Sequence, residues 1–255
     1  MAIRALSFGA MAQAYERFRP GYPAELLDLV LAYAGRPVRT ALEIGAGTGK
    51  ATRLFAGRGV AVTATEPDEA MLAELRKHVP AGVRTERAAF EVLPLGERYG
   101  LVYAAASLHW TNPVGRWPRM AALLAPGGVF ASFGSPVRLA DPELAQAVQQ
   151  ARLPFLDTDE IASPDGTPPE QAMQWPGTEL QQSEWFTDVR QAEIERPLTM
   201  TAHAYMGHLS TVSAYLILSA ADREQVFHRI REVLPATVGL NADLTVHLAR
   251  RRPEK

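Results

Sequence analysis

Between Arg39 and Phe133, short apolar runs alternate with amphipathic stretches, a pattern that feeds successive strands into a parallel sheet with helices between them. The runs Thr40 to Ile44, Ala61 to Thr65, Gly82 to Thr85, Leu101 to Ala105 and Val129 to Phe133 predict the strands. The intervening stretches predict helices, the second capped by Asp68 through the amides of the following turn. Upstream, Leu26, Leu27, Val30, Leu31 and Tyr33 recur near helical spacing after the turn-forming Arg19-Pro20-Gly21-Tyr22-Pro23, so Ala24 to Tyr33 predicts a helix packed on the sheet. Downstream, Leu153 to Gly177 is rich in Pro, Asp and Thr with little periodicity, and reads either as a lid or as a solvated connector. Beyond it, Val189 to Leu198 predicts a strand, Ala202 to Leu218 and Asp222 to Leu234 predict helices, and Leu244 to Ala249 predicts a last strand that pairs at the sheet edge.

The expected architecture is a doubly wound α/β fold in one domain. Residues 1–36 supply N-terminal helices, 37–136 the core, 137–200 a lid insertion and edge strand, and 201–255 the C-terminal helices and last strand. A chain of 255 residues that is 47% hydrophobic can bury one such core. The formal net charge of -2, with both signs mixed along the chain, provides no basic field for a nucleic-acid backbone. With no cysteine and six scattered histidines, neither a disulfide framework nor a thiolate metal site is expected, and no metal is assigned. Met1 to Met11 is too short and broken for a secretory signal, and no run approaches the roughly 20 apolar residues of a membrane span, so a cytoplasmic protein is expected.

The chemistry concentrates at Ala41-Leu42-Glu43-Ile44-Gly45-Ala46-Gly47-Thr48-Gly49-Lys50, a strand entering a glycine-rich turn and then a helix. A dinucleotide fingerprint needs its third glycine where Lys50 stands, and a phosphate loop needs glycine and Ser or Thr where Ile44 and Ala51 stand. Both nucleotide readings fail. Glu43 instead suits a ligand that carries an ammonium group and no phosphate, and S-adenosylmethionine is such a ligand. Glu66 ends the next strand at about the 20-residue separation expected of a ribose reader, and its carboxylate can accept from both ribose hydroxyls. Met71, one helical turn further, reads equally as core packing or as an adenine contact.

These residues resemble the class I S-adenosylmethionine-dependent methyltransferases (methyltransferase type 11 domain), in particular the small-molecule branch related to trans-aconitate methyltransferases. The resemblance is carried by the opening segment Phe8 to Pro23 with Tyr15, Arg19, Pro20, Tyr22 and Pro23 in place, by Glu43 with Gly45, Gly47 and Gly49, and by Ala125-Pro126-Gly127-Gly128 before the fifth strand. It implies a Rossmann-like, mostly parallel seven-stranded sheet. It also implies a cofactor site formed by Tyr15, Arg19, Glu43, Gly45, Ala46, Gly47, Gly49, Glu66, Pro67, Met71, Phe90 and Ala106, with Tyr15 and Arg19 closing over the methionine end. Two positions depart from the family pattern: Ala89 stands where an Asp commonly precedes the adenine-bordering segment, and Gly100 where an acid commonly opens the fourth strand.

Ligands in open α/β sheets lie beyond the carboxyl ends of the strands, which puts His109 and Trp110 near the transferred methyl group. His109 reads as a general base or as part of the pocket wall. Tyr205, His208 and Val212 share a helical face that lines the acceptor cavity or faces solvent, and Tyr22, Trp110, Tyr205 and His208 are the acceptor-side candidates. The expected reaction is in-line methyl transfer to oxygen of a small-molecule acceptor, leaving S-adenosylhomocysteine, by a monomer or homodimer. The alternatives are a cyclase that keeps the cofactor without methylating and a cofactor-binding regulatory protein.

Overall fold

The computed structural model describes residues 9–134 and 136–253; Phe8 and the earlier part of the Met1 to Met11 stretch lie outside the described residues. The chain forms two compact units, one from the described residues of 1–20, 135–161 and 195–244, the other from those of 21–134, 162–194 and 245–255. In chain order the strands among the described residues are β1 (Thr40–Ile44), β2 (Ala61–Thr65), β3 (Arg84–Glu86), β4 (Tyr99–Ala105), β5 (Leu124–Gly134), β6 (Arg138–Leu139), β7 (Phe186–Ile194), β8 (Pro197–Thr201), β9 (Thr237–Asn241) and β10 (Leu244–Arg251).

The larger unit is organised on a seven-stranded sheet with the order β3-β2-β1-β4-β5-β10-β7. The pairs from β3 through β5 are parallel, and β10 joins β5 antiparallel. β1 and β2 are buried at every position after the first, the near-continuous apolar run expected of parallel strands covered on both faces. The chain winds outward from β1 to β3 and then returns to lay β4 on the other side of β1. That reversal opens a crevice at the carboxyl ends of β1 and β4. Leu42, Ile44, Phe90, Val102, Leu108 and Phe130 belong to one buried cluster in this unit. Asp68 starts helix Glu69–His78, its side chain accepting from the amides of Ala70 at 2.9 Å and Met71 at 3.0 Å.

The smaller unit has an antiparallel sheet ordered β6-β9-β8. Its helices include Ala12–Phe18, Pro142–Arg152, Ala202–Leu209 and Ala220–Val233. Val148, Tyr205, Leu209, Tyr215, Val226, Ile230 and Leu240 form its core. Among the described residues no helix is long and apolar enough to cross a membrane.

Several expectations need correction. The run Val189 to Leu198 is not one strand: it breaks after Ile194, and its two parts enter different sheets as β7 and β8. The helix expected over Ala202 to Leu218 ends at Leu209 and resumes only as Ser213–Leu216. There Ser210 Oγ donates to the Gly207 carbonyl at 2.7 Å and Thr211 Oγ1 to the His208 carbonyl at 2.7 Å, side-chain competition for backbone acceptors that favours a helix end. Val212 therefore does not continue the helical face of Tyr205 and His208. Helix Pro142–Arg152, which the periodicity reading passed over, starts from an Asp141 cap with Pro at its first turn. The Leu153 to Gly177 stretch is irregular as expected, with the helix Gly177–Gln182 at its end.

Candidate functional site

Parallel registry sets the framework of the site. Glu43 of β1 stands opposite Ala64 of β2 and Tyr103 of β4, so the Tyr103 ring lies on the face to which Glu43 points. Tyr103 Oη donates to Glu43 Oε2 at 2.9 Å, and Thr52 Oγ1 from helix Lys50–Ala56 donates to the same oxygen at 2.5 Å. Thr65 Oγ1 donates to the Glu43 carbonyl at 2.8 Å, tying the ends of β1 and β2. Glu43 is fully buried, and its second oxygen, Oε1, has no hydrogen-bond partner.

The glycine turn follows. The Ala46 amide donates to the Thr65 carbonyl at 2.9 Å, and the Gly47 amide donates to Glu66 Oε2 at 2.9 Å. Glu66 Oε1 accepts from the Asp68 amide at 2.9 Å. Glu66 thus holds the turn in shape while each of its oxygens keeps further lone pairs for a ligand. Burial raises its pKa, against the lowering effect of these two amides. Gly45 sits at φ +63, and a Cβ there would lie 2.7 Å from Ser107 Cβ and 3.1 Å from Ser107 Oγ. Ser107 is pinned in turn by its hydroxyl donating to the Ile44 carbonyl. At Gly47, with φ +58, the nearest atom to an added Cβ is Met71 Cε at 3.5 Å, so Met71 lies against the turn. Thr48 is buried with its Oγ1 unpartnered.

Other expected residues gather at the same strand ends. Ala106 adopts φ 52, uncommon for a residue with a side chain, and its amide donates to the Phe133 carbonyl at 2.8 Å. Phe90 begins a short 3-10 turn and is buried beside Ile44 and Leu108 in the same cluster. Its carbonyl accepts from Arg119 Nε at 2.7 Å, so that acceptor is engaged within the protein. The Pro67 carbonyl accepts from Arg87 Nε at 3.4 Å. Tyr22 packs edge-on against Phe133 of β5, ring centroids 5.2 Å apart.

His109 and Trp110 form the 3-10 turn after β4, their rings 4.5 Å apart. Burial, together with the nearby Arg116 guanidinium, pushes the His109 pKa down to about 4. Arg116 is itself fully buried, with Nε donating to Thr111 Oγ1 at 2.8 Å, Nη2 to the Thr111 carbonyl at 2.9 Å and Nη1 to Glu179 Oε2 at 3.2 Å.

Tyr15, Arg19, Tyr205 and His208 belong to the smaller unit. Arg19 stacks its guanidinium 5.3 Å from the Tyr15 ring centroid and donates to Thr211 Oγ1 at 2.8 Å and to the Thr211 carbonyl at 2.9 Å. The Tyr205 and His208 rings are buried and nearly parallel, at 6.4 Å and 10°, which corrects the reading of a solvated face. Burial, with the Arg19 charge, pushes His208 down to about 3.

Sequence reasoning missed Thr65 and Tyr103, whose roles arise from registry between strands distant in sequence, and Thr52 and Ser107, which folding brings to β1 from the following helix and from the turn after β4. It missed Arg116 as well, because a basic residue in an amphipathic helix ordinarily reads as solvated. Trp175 packs against the core cluster as a packing residue, whereas Trp185 is partly exposed. In the acid-rich run Asp157-Thr158-Asp159-Glu160, Asp159 pairs with Arg152 and Glu160 with Arg138, and no group of residues able to hold a metal ion occurs among the described residues.

S-adenosylmethionine fits this arrangement. Two buried carboxyl groups, one with an orphaned oxygen, flank a turn that is glycine at positions 45, 47 and 49, which answers the needs of a ligand that is cationic at one end and carries a diol.

The family model for a methyltransferase domain matches residues 41–128. The chain is 33% identical to an uncharacterized methyltransferase of Mycobacterium tuberculosis over 90% of this chain and 86% of that protein. It is 40% identical to the trans-aconitate 2-methyltransferase of Delftia acidovorans over 46% of this chain and 44% of that protein. Its fold is similar to that of a proposed type II methyltransferase from Anaeromyxobacter dehalogenans, with a TM-score of 0.64 at 24% identity, covering 93% of this chain and 100% of that one.

Proposed function

Because the chain belongs to the S-adenosylmethionine-dependent methyltransferases, we propose that it methylates an oxygen of a small organic acceptor, with a carboxylate as the leading class and a hydroxyl second. The observation that carries this is the state of His109 at the end of β4. With its pKa pushed down to about 4 by burial and by Arg116, its imidazole is neutral at pH 7 and accepts protons only weakly. A base so weak gives little help in deprotonating a hydroxyl, whereas a carboxylate arrives deprotonated and needs none. Relatives named for trans-aconitate, matched over less than half their length, point the same way.

When bound, S-adenosylmethionine supplies a methyl group made electrophilic by its sulfonium. In this proposal Glu66 accepts from the ribose hydroxyls, and Glu43 with the Gly45, Ala46 and Gly47 backbone receives the methionine end, aided by Tyr15 and Arg19. Gly49, Pro67, Met71, Phe90 and Ala106 border the nucleoside. Tyr22, Trp110, Tyr205 and His208 bind the acceptor, and His109 orients it for in-line displacement; alignment and exclusion of water can supply about 7–11 kcal/mol of the barrier. The two units act as a single methyltransferase domain. The mixed charge pattern argues against a nucleic-acid partner, and the proposed setting is a cytoplasmic enzyme, monomeric or homodimeric.

The test is S-adenosylhomocysteine production with panels of carboxylic acids and of alcohols or phenols, each product identified by mass spectrometry and by lability to base. The expected product is a base-labile methyl ester, and His109→Gln should raise the acceptor KM with a turnover loss that does not shrink as pH rises. A base-stable ether, with the variant rescued at high pH, would overturn the carboxylate assignment.

A further inference from the structure

Glu43 occupies an unusual place for an ionised group. It is fully buried, Oε2 accepts from two neutral hydroxyls, and Oε1 accepts from nothing. Among the charged groups that act on it, Glu66 at the end of β2 opposes ionisation and Arg53 on helix Lys50–Ala56 favours it only weakly. Burial, the largest of the influences on it, pushes its pKa up to about 8. Tyr103 stays a neutral phenol that offers only its hydrogen bond, since burial and Glu43 itself raise its pKa, with Tyr22 acting in the same direction. A buried carboxyl without a cation neutralises itself by taking a proton. The cofactor brings the missing cation, as an ammonium at its amino-acid end.

We propose that Glu43 is a neutral carboxylic acid in the cofactor-free protein and releases its proton when the ammonium end of the cofactor binds. The inference rests on the cofactor assignment. The Glu43 O–H bond breaks, the proton passes to the buffer, and the carboxylate left behind balances the ligand's positive charge. The empty site then holds no unbalanced buried charge at this position, and the negative charge arises only with its counterion. Affinity for the cofactor becomes a function of pH, and nucleosides lacking the amino-acid end do not trigger the release.

Calorimetric titration of the full chain with S-adenosylhomocysteine at pH 7, in phosphate and in Tris, reads the proton directly because the two buffers differ in ionisation heat. About 0.9 proton should be released per site, and affinity should rise about 25-fold from pH 6 to 7.5, by linkage from a free pKa near 8. Adenosine should release none. In Glu43→Gln the release should vanish. Buffer-independent heats in the wild type, or the same release in a folded Glu43→Gln protein, would overturn the proposal. Should the variant fail to fold, an infrared difference spectrum of the wild type decides: loss of a protonated-carboxyl band on binding supports the proposal, and an unchanged band refutes it. Failure of the cofactor assignment itself would look different, with no binding heat in any buffer.

Discussion

Replacing Gly45 by Ala tests the geometry of the turn more sharply than replacing any other residue in it. The backbone there is at φ +63, which costs a residue with a Cβ about 1–2 kcal/mol. The new Cβ would also lie 2.7 Å from Ser107 Cβ, well inside the about 3.5–4.0 Å at which carbon atoms pack comfortably. Ser107 cannot yield freely, because it is buried and its hydroxyl is committed to the Ile44 carbonyl. Overpacking of this kind adds about 1–3 kcal/mol, for a total of about 2–5 kcal/mol. Gly47 supplies the internal control. Its φ of +58 carries the same backbone strain, but an added Cβ would meet only Met71 Cε at an ordinary 3.5 Å. Gly47→Ala should therefore cost about 1–2 kcal/mol of stability. Urea unfolding of both variants, with cofactor affinity measured in parallel, separates the two terms. Adding Ser107→Gly to Gly45→Ala should recover the packing part and leave the strain, giving a coupling energy of about 1–3 kcal/mol in a double-mutant cycle. Equal losses for the two alanine variants, or no coupling between positions 45 and 107, would refute the reasoning.

Glu66→Ala should weaken both cofactor binding and the turn itself, since the amides of Gly47 and Asp68 lose their acceptor, at about 1–3 kcal/mol for each that stays buried. Glu66→Gln, which keeps one acceptor oxygen, should lose less, and unchanged calorimetric affinity in a folded Glu66→Ala protein would remove the ribose role. Stability should also vary with pH in a defined way. His109, His208 and His247 have pKa values pushed down to about 4, 3 and 4, chiefly by burial, so the unfolded chain takes up their protons first. Their stabilising contribution is complete above about pH 6.5 and is lost as pH falls from there toward 4. Glu43 works in the opposite sense: with its pKa raised to about 8, its contribution is complete below the ordinary carboxylate range and is lost as pH rises toward 8. Thermal unfolding of the cofactor-free protein should thus show a maximum near neutrality, with saturating cofactor lifting the alkaline side; a midpoint flat between about pH 4.5 and 6.5 would contradict the histidine assignment.

Much of the architecture was legible because local chemistry decides it. β1 and β2 have the bounds that their apolar runs predict, the glycine turn lies where its residues fall, and Asp68 caps its helix as expected. Each is settled within a few residues of chain by backbone sterics or by a short-range hydrogen bond. The signal for helix Pro142–Arg152 was present as well, in the Asp141-Pro142 pair, but it lay outside the alternation that guided the reading. By contrast, Pro197 signals a break within Val189 to Leu198, but an alternating run does not name its partner strand, so the sequence did not show that the two parts enter different sheets. The site follows the same division. Sequence alone determined that an acid ends β1, that glycines follow it and that a second acid ends β2. Tertiary structure decided what those acids are: registry sets Tyr103 against Glu43, folding brings Thr52 and Ser107 to the turn, and burial raises the Glu43 and Glu66 carboxyls and depresses the His109 imidazole. Composition and spacing fix which groups can ionise, but the free energy of a charge depends on its distance from water and from other charges, and those distances exist only once the chain has folded.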